Sequence, residues 1–235
     1  MPPELSLILT AYDEEEALPR SLPPIIEALR KLPNPWEMIL VNNGSEDTTR
    51  AVMENFSNKH SGLRIVDVSA NRGYGYGVRQ GLKTASGRFT AYAPADGQFD
   101  PAVLAPMLVM MRENRSDFMI ASRVNRHDGA SRKIISLFFN LLMQTLYGLR
   151  VNDLNGEPKM FTRETGRELD PESDGSFLDT ELALKAHAKG LRIHEIPMAS
   201  PARQGGRSKV RFSWTFIFLK NILLYRLTGR SSDRA

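Results

Sequence analysis

At 235 residues the chain is long enough to bury a full core as one domain, without help from disulfides or a structural metal. It contains no cysteine, which excludes a disulfide framework, a thiolate metal site and cysteine nucleophile chemistry, and points to a reducing compartment. Lysine and arginine number 31 against 27 aspartate and glutamate, a net charge of +4 that permits an anionic partner without identifying one.

The N-terminus offers a short apolar run, Leu5 to Leu9, with no basic segment ahead of it, and so reads as a buried first strand and not as a signal peptide. Further strands are predicted near Met38 to Asn42, Arg64 to Val68, Phe89 to Ala93, Asp117 to Ala121 and Arg192 to Ile196. Segments of helical periodicity fall between them. That alternation marks stacked βα units, hence an α/β fold with a mostly parallel central sheet flanked by helices. The first helical segment sets Leu18, Leu22, Ile25, Leu29 and Leu32 at spacings of three and four, and Pro23 and Pro24 are expected to bend or restart it. From Gly73 to Ala85 the small residues Gly73, Gly77, Gly81 and Ala85 recur at every fourth position, which lets a helix lie close to the sheet or to a ligand. Ile134 to Leu149 is apolar but contains Asn140 and Gln144 and is shorter than the ~20 residues needed to cross a bilayer, so a buried or interfacial helix is expected.

Phe212 to Leu227 is richer in large apolar groups, yet Lys220, Asn221 and Arg226 interrupt it. The pattern fits an amphipathic helix lying in the plane of a membrane, with docking on the core or in a homo-oligomer contact as the alternative. From Arg203 to Arg234 the chain carries Arg203, Arg207, Lys209, Arg211, Lys220, Arg226, Arg230 and Arg234 against Asp233 alone, which implies anionic lipid, phosphate or nucleic acid nearby. Aromatics in this stretch sit among aliphatics, which argues against stacking on nucleic acid. The expected organisation is a main body over 1–211 followed by a basic amphipathic helix and tail over 212–235.

Open α/β sheets bind ligands at the C-terminal ends of their strands, and three loops there carry candidate chemistry. Ala11-Tyr12-Asp13-Glu14 supplies an aromatic able to stack on a base and acids able to accept its hydrogen bonds; the plain alternative is an acidic helix start. In Asn42-Asn43-Gly44-Ser45-Glu46-Asp47, Gly44 allows a tight turn and Ser45 or Asp47 can cap the next helix, while the side-chain oxygens could receive a ribose or base edge. In Pro94-Ala95-Asp96-Gly97-Gln98, Asp96 and Gln98 would point the same way in an extended chain. They would offer a hard divalent cation two oxygen ligands, leaving phosphate and water to complete its shell; an Asp-Gly turn is the alternative. His60, His127, His187 and His194 lie on separate segments without zinc-site spacing. Asp179 and Glu181 open a helical segment, where they could act on an acceptor hydroxyl or simply face the helix dipole.

Taken in order, these pieces resemble the family 2 glycosyltransferases of GT-A fold, especially the group that moves a sugar from a nucleotide onto a polyprenyl phosphate. The likeness runs from Leu5 to about Lys209. Asn71-Arg72-Gly73 is similar to the family's Asn-x-Gly before a small-residue helix, Ser122-Arg123 to its strand-ending Ser-Arg, Asp153 with Gly156-Glu157-Pro158-Lys159-Met160-Phe161 to its Asp and Gly-x-x-Lys-x-Phe run, and Gly206-Arg207-Ser208-Lys209 to its late Gly-x-Ser-Lys. Two motifs depart from the pattern: Asn42 and Asn43 stand where the family has an acidic pair, and Pro94 where it has the first acid of its Asp-x-Asp metal motif.

The resemblance implies nucleotide binding by Ala11, Tyr12, Glu14, Asn42, Asn43, Ser45, Asn71, Gly73, Ala95 and Asp96, with Mg2+ or Mn2+ held by Asp96 and Gln98. It implies catalytic roles for Asp96, Arg123 and Lys209, and binding of the leaving diphosphate or the acceptor phosphate by Arg123, Arg132 and Lys209. The reaction implied is an inverting displacement from a UDP- or GDP-linked sugar, at the inner, cytoplasmic face of a membrane. A phosphate acceptor already dianionic near neutral pH needs no strong base. Gln204-Gly205-Gly206-Arg207 has the spacing found in processive polysaccharide synthases, but Ser208 follows where they carry tryptophan, which argues against a polymerising enzyme. Two other readings stay open: a transferase of the same fold acting on a soluble or glycan hydroxyl, and a non-catalytic protein that binds a sugar nucleotide or lipid.

Overall fold

A computed structural model describes residues 2–124, 130–201 and 214–229. Strands β1 (Leu5–Ala11), β2 (Trp36–Asn43), β3 (Leu63–Val68), β4 (Phe89–Pro94), β5 (Phe118–Val124), β6 (Lys159–Thr162) and β7 (Ile193–Ala199) form one sheet in the order β3-β2-β1-β4-β6-β5-β7. Neighbours run parallel except at β6, which is antiparallel to both β4 and β5. All six strands expected from the sequence are present. β6 is additional, because four residues led by a lysine carry no apolar alternation to announce them.

Both sheet faces are covered, which is why the central strands read as near-continuous apolar runs. Leu5, Leu7 and Leu9 of β1 point into a core shared with α1 (Leu18–Arg30) and α4 (Leu104–Arg112), while Ile8 points into a second core with α3 (Tyr74–Thr84) and α7 (Leu178–Ala188). The remaining helices are α2 (Thr49–Lys59), α5 (Ala130–Tyr147), α6 (Arg163–Leu169) and α8 (Trp214–Thr228). Pro23 and Pro24 do not restart α1, which runs unbroken from Leu18 to Arg30. Both prolines are exposed, so the carbonyls they leave without N–H partners can face water, while Leu18, Leu22, Ile25, Ile26 and Leu29 keep one stripe buried.

The glycines of α3 serve close packing on the sheet. A Cβ on Gly81 would stand 2.3 Å from Ile8 Cγ2 and 3.2 Å from Val41 Cγ2, and one on Gly77 would stand 3.0 Å from Asn43 Cγ. In an open helix Gly→Ala gains about 1 kcal/mol, whereas overpacking costs about 1–3 kcal/mol. Gly81→Ala is therefore expected to destabilise the fold by roughly 1 kcal/mol in urea melts; a stabilised variant would contradict the close approach.

Asp117 and Arg192, expected as strand residues, sit just before β5 and β7 and clamp their starts together, with Arg192 Nε donating to Asp117 Oδ2 at 2.9 Å and Nη2 to Oδ1 at 2.8 Å. At the other end of the chain α8 docks on α5 and α7: Ile222 is fully buried with Phe139, Met143 and Phe177, and the Tyr147 hydroxyl donates to the Ile222 carbonyl at 2.7 Å. Among the described residues no helix is long and apolar enough to cross a membrane.

Candidate active site

The C-terminal edge of the sheet aligns Ala11 with Asn42, Asn42 with Asp67, and Thr10 with Pro94. This register brings the predicted loops together. The backbone N–H of Asp13 donates to Ser45 Oγ at 3.1 Å, the N–H of Glu46 donates to Asp13 Oδ1 at 2.9 Å, and that of Glu14 to Thr49 Oγ1 at 2.7 Å. Asp13 adopts φ +49°, a left-handed turn that swings the chain from β1 towards the second loop. Tyr12 and Asn71 share a side-chain hydrogen bond, and the charge of Asp13, followed by burial, holds the Tyr12 phenol above its usual range.

Asn42 and Asn43 have positive structural reasons to be amides. Asn42 Nδ2 donates to Asp67 Oδ1 at 3.0 Å, where an aspartate would face a like charge, and its Oδ1 accepts the Ser45 N–H at 3.2 Å. Asn43 Nδ2 donates to the Gly73 carbonyl at 3.0 Å, which joins the end of β2 to the turn before α3. Asn71 Oδ1 in turn accepts the Gly73 N–H at 2.8 Å, and Gly73, at φ +118°, has the Asp174 carbonyl where a side chain would stand.

Asp96 is 7% exposed at the end of β4, and its Oδ1 accepts the Gln98 N–H at 3.1 Å across Gly97, whose φ is +76°. Asp96 and Gln98 are thus joined by a turn and do not share one side of an extended segment: Asp96 is buried and Gln98 exposed. The left-handed glycine reverses the chain between them. Among the described residues no cluster of three or more His, Asp or Glu side chains could hold a metal. A carboxylate whose oxygen accepts a backbone N–H, as that of Asp96 does, still fits a hard cation whose other ligands are phosphate and water oxygens. A cavity of about 400 Å³ opens beside this loop, bounded by Ser21, Ile25, Gly97, Phe99, Asp100 and Ser200.

Arg123 lies at the same sheet edge on β5. Asp153 accepts from its Nε at 2.7 Å, its Nη2 at 2.8 Å and its backbone N–H at 3.0 Å, so the guanidinium is held in one orientation. Asp153 is fixed in turn by Glu195, which accepts its N–H at 2.8 Å and that of Asn152 at 2.7 Å. Glu181 is engaged in structure: it accepts the N–H groups of Glu172 and Ser173 at 2.9 and 2.8 Å and pairs with Lys185 at 2.7 Å. Asp179 accepts from Lys159 Nζ at 2.7 Å and from the Tyr92 hydroxyl at 2.8 Å. Lys209, the Gly206–Lys209 run, Arg203, Arg207, Arg211, Arg230, Arg234 and His127 lie outside the described residues, as does the side chain of Arg132.

Several contributors carry no local signal in the sequence. Asp174 binds Arg72 at 3.0 Å and Arg79 at 2.5 Å and so braces the turn before α3, from about a hundred residues away. Glu157 receives the Tyr74 hydroxyl across 83 positions. Spacing along the chain cannot reveal such pairs.

The sequence profile described as Glycosyl transferase family 2 matches residues 6–169. The dodecaprenyl-phosphate galacturonate synthase of Rhizobium johnstonii is 28% identical over 94% of this chain and 65% of its own length. The undecaprenyl-phosphate 4-deoxy-4-formamido-L-arabinose transferase of Proteus mirabilis is 27% identical over 96% and 67%, and the dolichyl-phosphate beta-glucosyltransferase of Drosophila melanogaster 29% over 90% and 71%. The chain therefore spans about two thirds of the length of these relatives. Among solved structures, glucosyl-3-phosphoglycerate synthase from Mycobacterium tuberculosis, in complex with Mn2+, uridine diphosphate and glucosyl-3-phosphoglycerate, superposes with a TM-score of 0.76 at 17% identity, covering 98% of this chain and 82% of that one.

Proposed function

The chain belongs to glycosyl transferase family 2, and from that premise we propose that it transfers a sugar, with inversion, from a nucleotide sugar to a polyprenyl phosphate at a membrane surface. One observation carries the proposal: the loops after β1, β2 and β3 are cross-bonded, the N–H of Ala95 ties the loop after β4 to the Thr10 carbonyl at 2.9 Å, and Arg123 stands on the same sheet edge beyond them. The names of the polyprenyl-phosphate relatives support the acceptor, and the uridine diphosphate in the superposed synthase supports a UDP-linked donor.

In this reading Tyr12, Asn42, Asn43 and Ser45 receive the nucleoside, with Ala11, Glu14, Asn71, Gly73 and Ala95 shaping the loops around it. Asp96 would hold Mg2+ or Mn2+, with the amide oxygen of Gln98 at the rim of the same loop. There an ion would supply charge neutralisation for the leaving diphosphate. Arg123, oriented by Asp153, faces the acceptor phosphate, and we assign Lys209 and Arg132 to the same cationic end. Since Asn42 is an amide because it faces Asp67, its departure from the acidic pair does not argue for a degenerate, non-catalytic protein.

Membrane contact is proposed through the outer faces of α5 and α8. Phe138, Leu141, Leu223 and Leu227 are 60, 58, 55 and 84% exposed, with the exposed cations Lys220 and Arg226 interspersed on α8. Thermal-shift binding of UDP and GDP, each with and without Mg2+ or Mn2+, tests the donor half. One nucleotide is expected to stabilise the protein, more strongly with metal; no shift with either would overturn the donor assignment. Transfer of label from the matching nucleotide sugar into polyprenyl phosphate in vesicles tests the acceptor half, and transfer to a water-soluble glycan alone would overturn it.

A further inference from the structure

Beneath the acceptor end lies a group of titratable side chains that the proposed reaction leaves unused. Glu157, partly buried between Gly156 and β6, receives the hydroxyl of Tyr74, the first residue of α3. That bond ties the donor turn Asn71-Arg72-Gly73 to the segment that approaches Arg123. The segment holding Glu157 lies against β5, where the Pro158 carbonyl accepts the Ala121 N–H at 3.0 Å and Lys159 stands opposite Ile120; the charges of Asp179, Lys159 and Arg123 act on the Glu157 carboxyl, with Tyr92 of β4 hydrogen-bonded to Asp179 behind them. Lys159 pairs with Asp179 at 2.7 Å and Arg123 with Asp153 at 2.7 Å, so these four charges cancel. The proton on Glu157 then decides whether the ensemble is neutral or carries one negative charge.

We propose that Glu157 is a positioning residue whose proton tunes the hold on the acceptor phosphate: while Glu157 is neutral the end beneath Arg123 receives a phosphate dianion, and once it is ionised the added charge repels one. The inference rests on the acceptor reading given above. Burial, and then the charge of Asp179, push the Glu157 carboxyl up to about 8, against the opposing pull of Lys159, the Tyr74 hydroxyl and Arg123. A phenol can donate to a carboxylate or accept from a carboxylic acid, so the tie to α3 persists in both states while the charge changes.

The test uses the full chain with UDP bound and farnesyl phosphate as probe, titrated calorimetrically at pH 7 and pH 9.5, where the probe remains dianionic. Wild-type affinity is expected to fall roughly tenfold over this range, the order expected for one charge roughly 10 Å from another at an effective dielectric of about 20. Glu157→Gln, which keeps shape and hydrogen bonding, is expected to bind about equally at both pH values. An equal fall in both proteins, or no fall in the wild type, overturns the role of Glu157. No farnesyl phosphate binding by either protein at any pH, with UDP still bound, removes the acceptor reading and the coupling with it. Carboxyl 13C NMR supplies a readout independent of the acceptor. The resonance lost in Glu157→Gln should titrate near 8 and move higher in Tyr74→Phe, which removes a hydrogen bond favouring the carboxylate; a midpoint in the ordinary carboxylate range overturns the proposal.

Discussion

Asp96→Ala is expected to lower sugar transfer by about a thousandfold while leaving the protein folded, the scale on which removal of one group that stabilises developing charge reduces turnover. The alanine also deletes the acceptor for the Gln98 N–H, an internal bond of 3.1 Å whose loss costs about 1 kcal/mol and loosens the loop. Asp96→Asn separates the two effects. Its Oδ1 can still accept from Gln98, so the turn over Gly97 is kept, but the charge that would hold a divalent ion is gone. If the carboxylate is the ion's seat, both variants lose transfer to a similar extent, and both lose the metal-dependent part of nucleotide binding in a thermal-shift assay. An asparagine variant with near-normal transfer would mean that Asp96 acts through loop geometry alone.

How much of this was legible beforehand differs by element for physical reasons. β1, β2 and β4 announce themselves because both faces are buried: every residue of Leu5–Ala11 is excluded from water, and only Ser6 and Thr10 interrupt its apolar run. The donor loops were legible because strand ends in such sheets are where chemistry collects, and the four-residue spacing of Gly77 and Gly81 does mark the face of α3 that meets Asn43, Ile8 and Val41. Conformation within the loops was not. Reading Asp96 and Gln98 as sharing one side assumed an extended chain, whereas the left-handed Gly97 turns it. The expected restart at Pro23 and Pro24 does not occur, because both face water, where unpartnered carbonyls are tolerated. Least visible were contacts between distant segments: Asn42 with Asp67, Arg79 with Asp174, Tyr74 with Glu157. Each residue alone reads as an ordinary surface or capping group, and only the register of the sheet and the seat of α3 bring the partners together.

Lys159→Met is expected to cost about 3–5 kcal/mol of stability, the range for breaking a buried ion pair by removing one partner. Lys159 has no solvent exposure; its Nζ donates to the Gly156 carbonyl at 2.9 Å and to Asp179 Oδ1 at 2.7 Å, where the Tyr92 hydroxyl also donates at 2.8 Å. Methionine fills most of the volume, so the loss is electrostatic: Asp179, 6% exposed, keeps its charge without the cation that balanced it. Adding Asp179→Asn removes the stranded charge, and the double variant is expected to recover part of the loss. Urea melts of the two single variants and the double variant measure the coupling directly. Strict additivity would mean that Lys159 supports β6 by packing alone, whereas recovery in the double variant identifies the ion pair as what allows a lysine to lead a strand in the middle of the sheet.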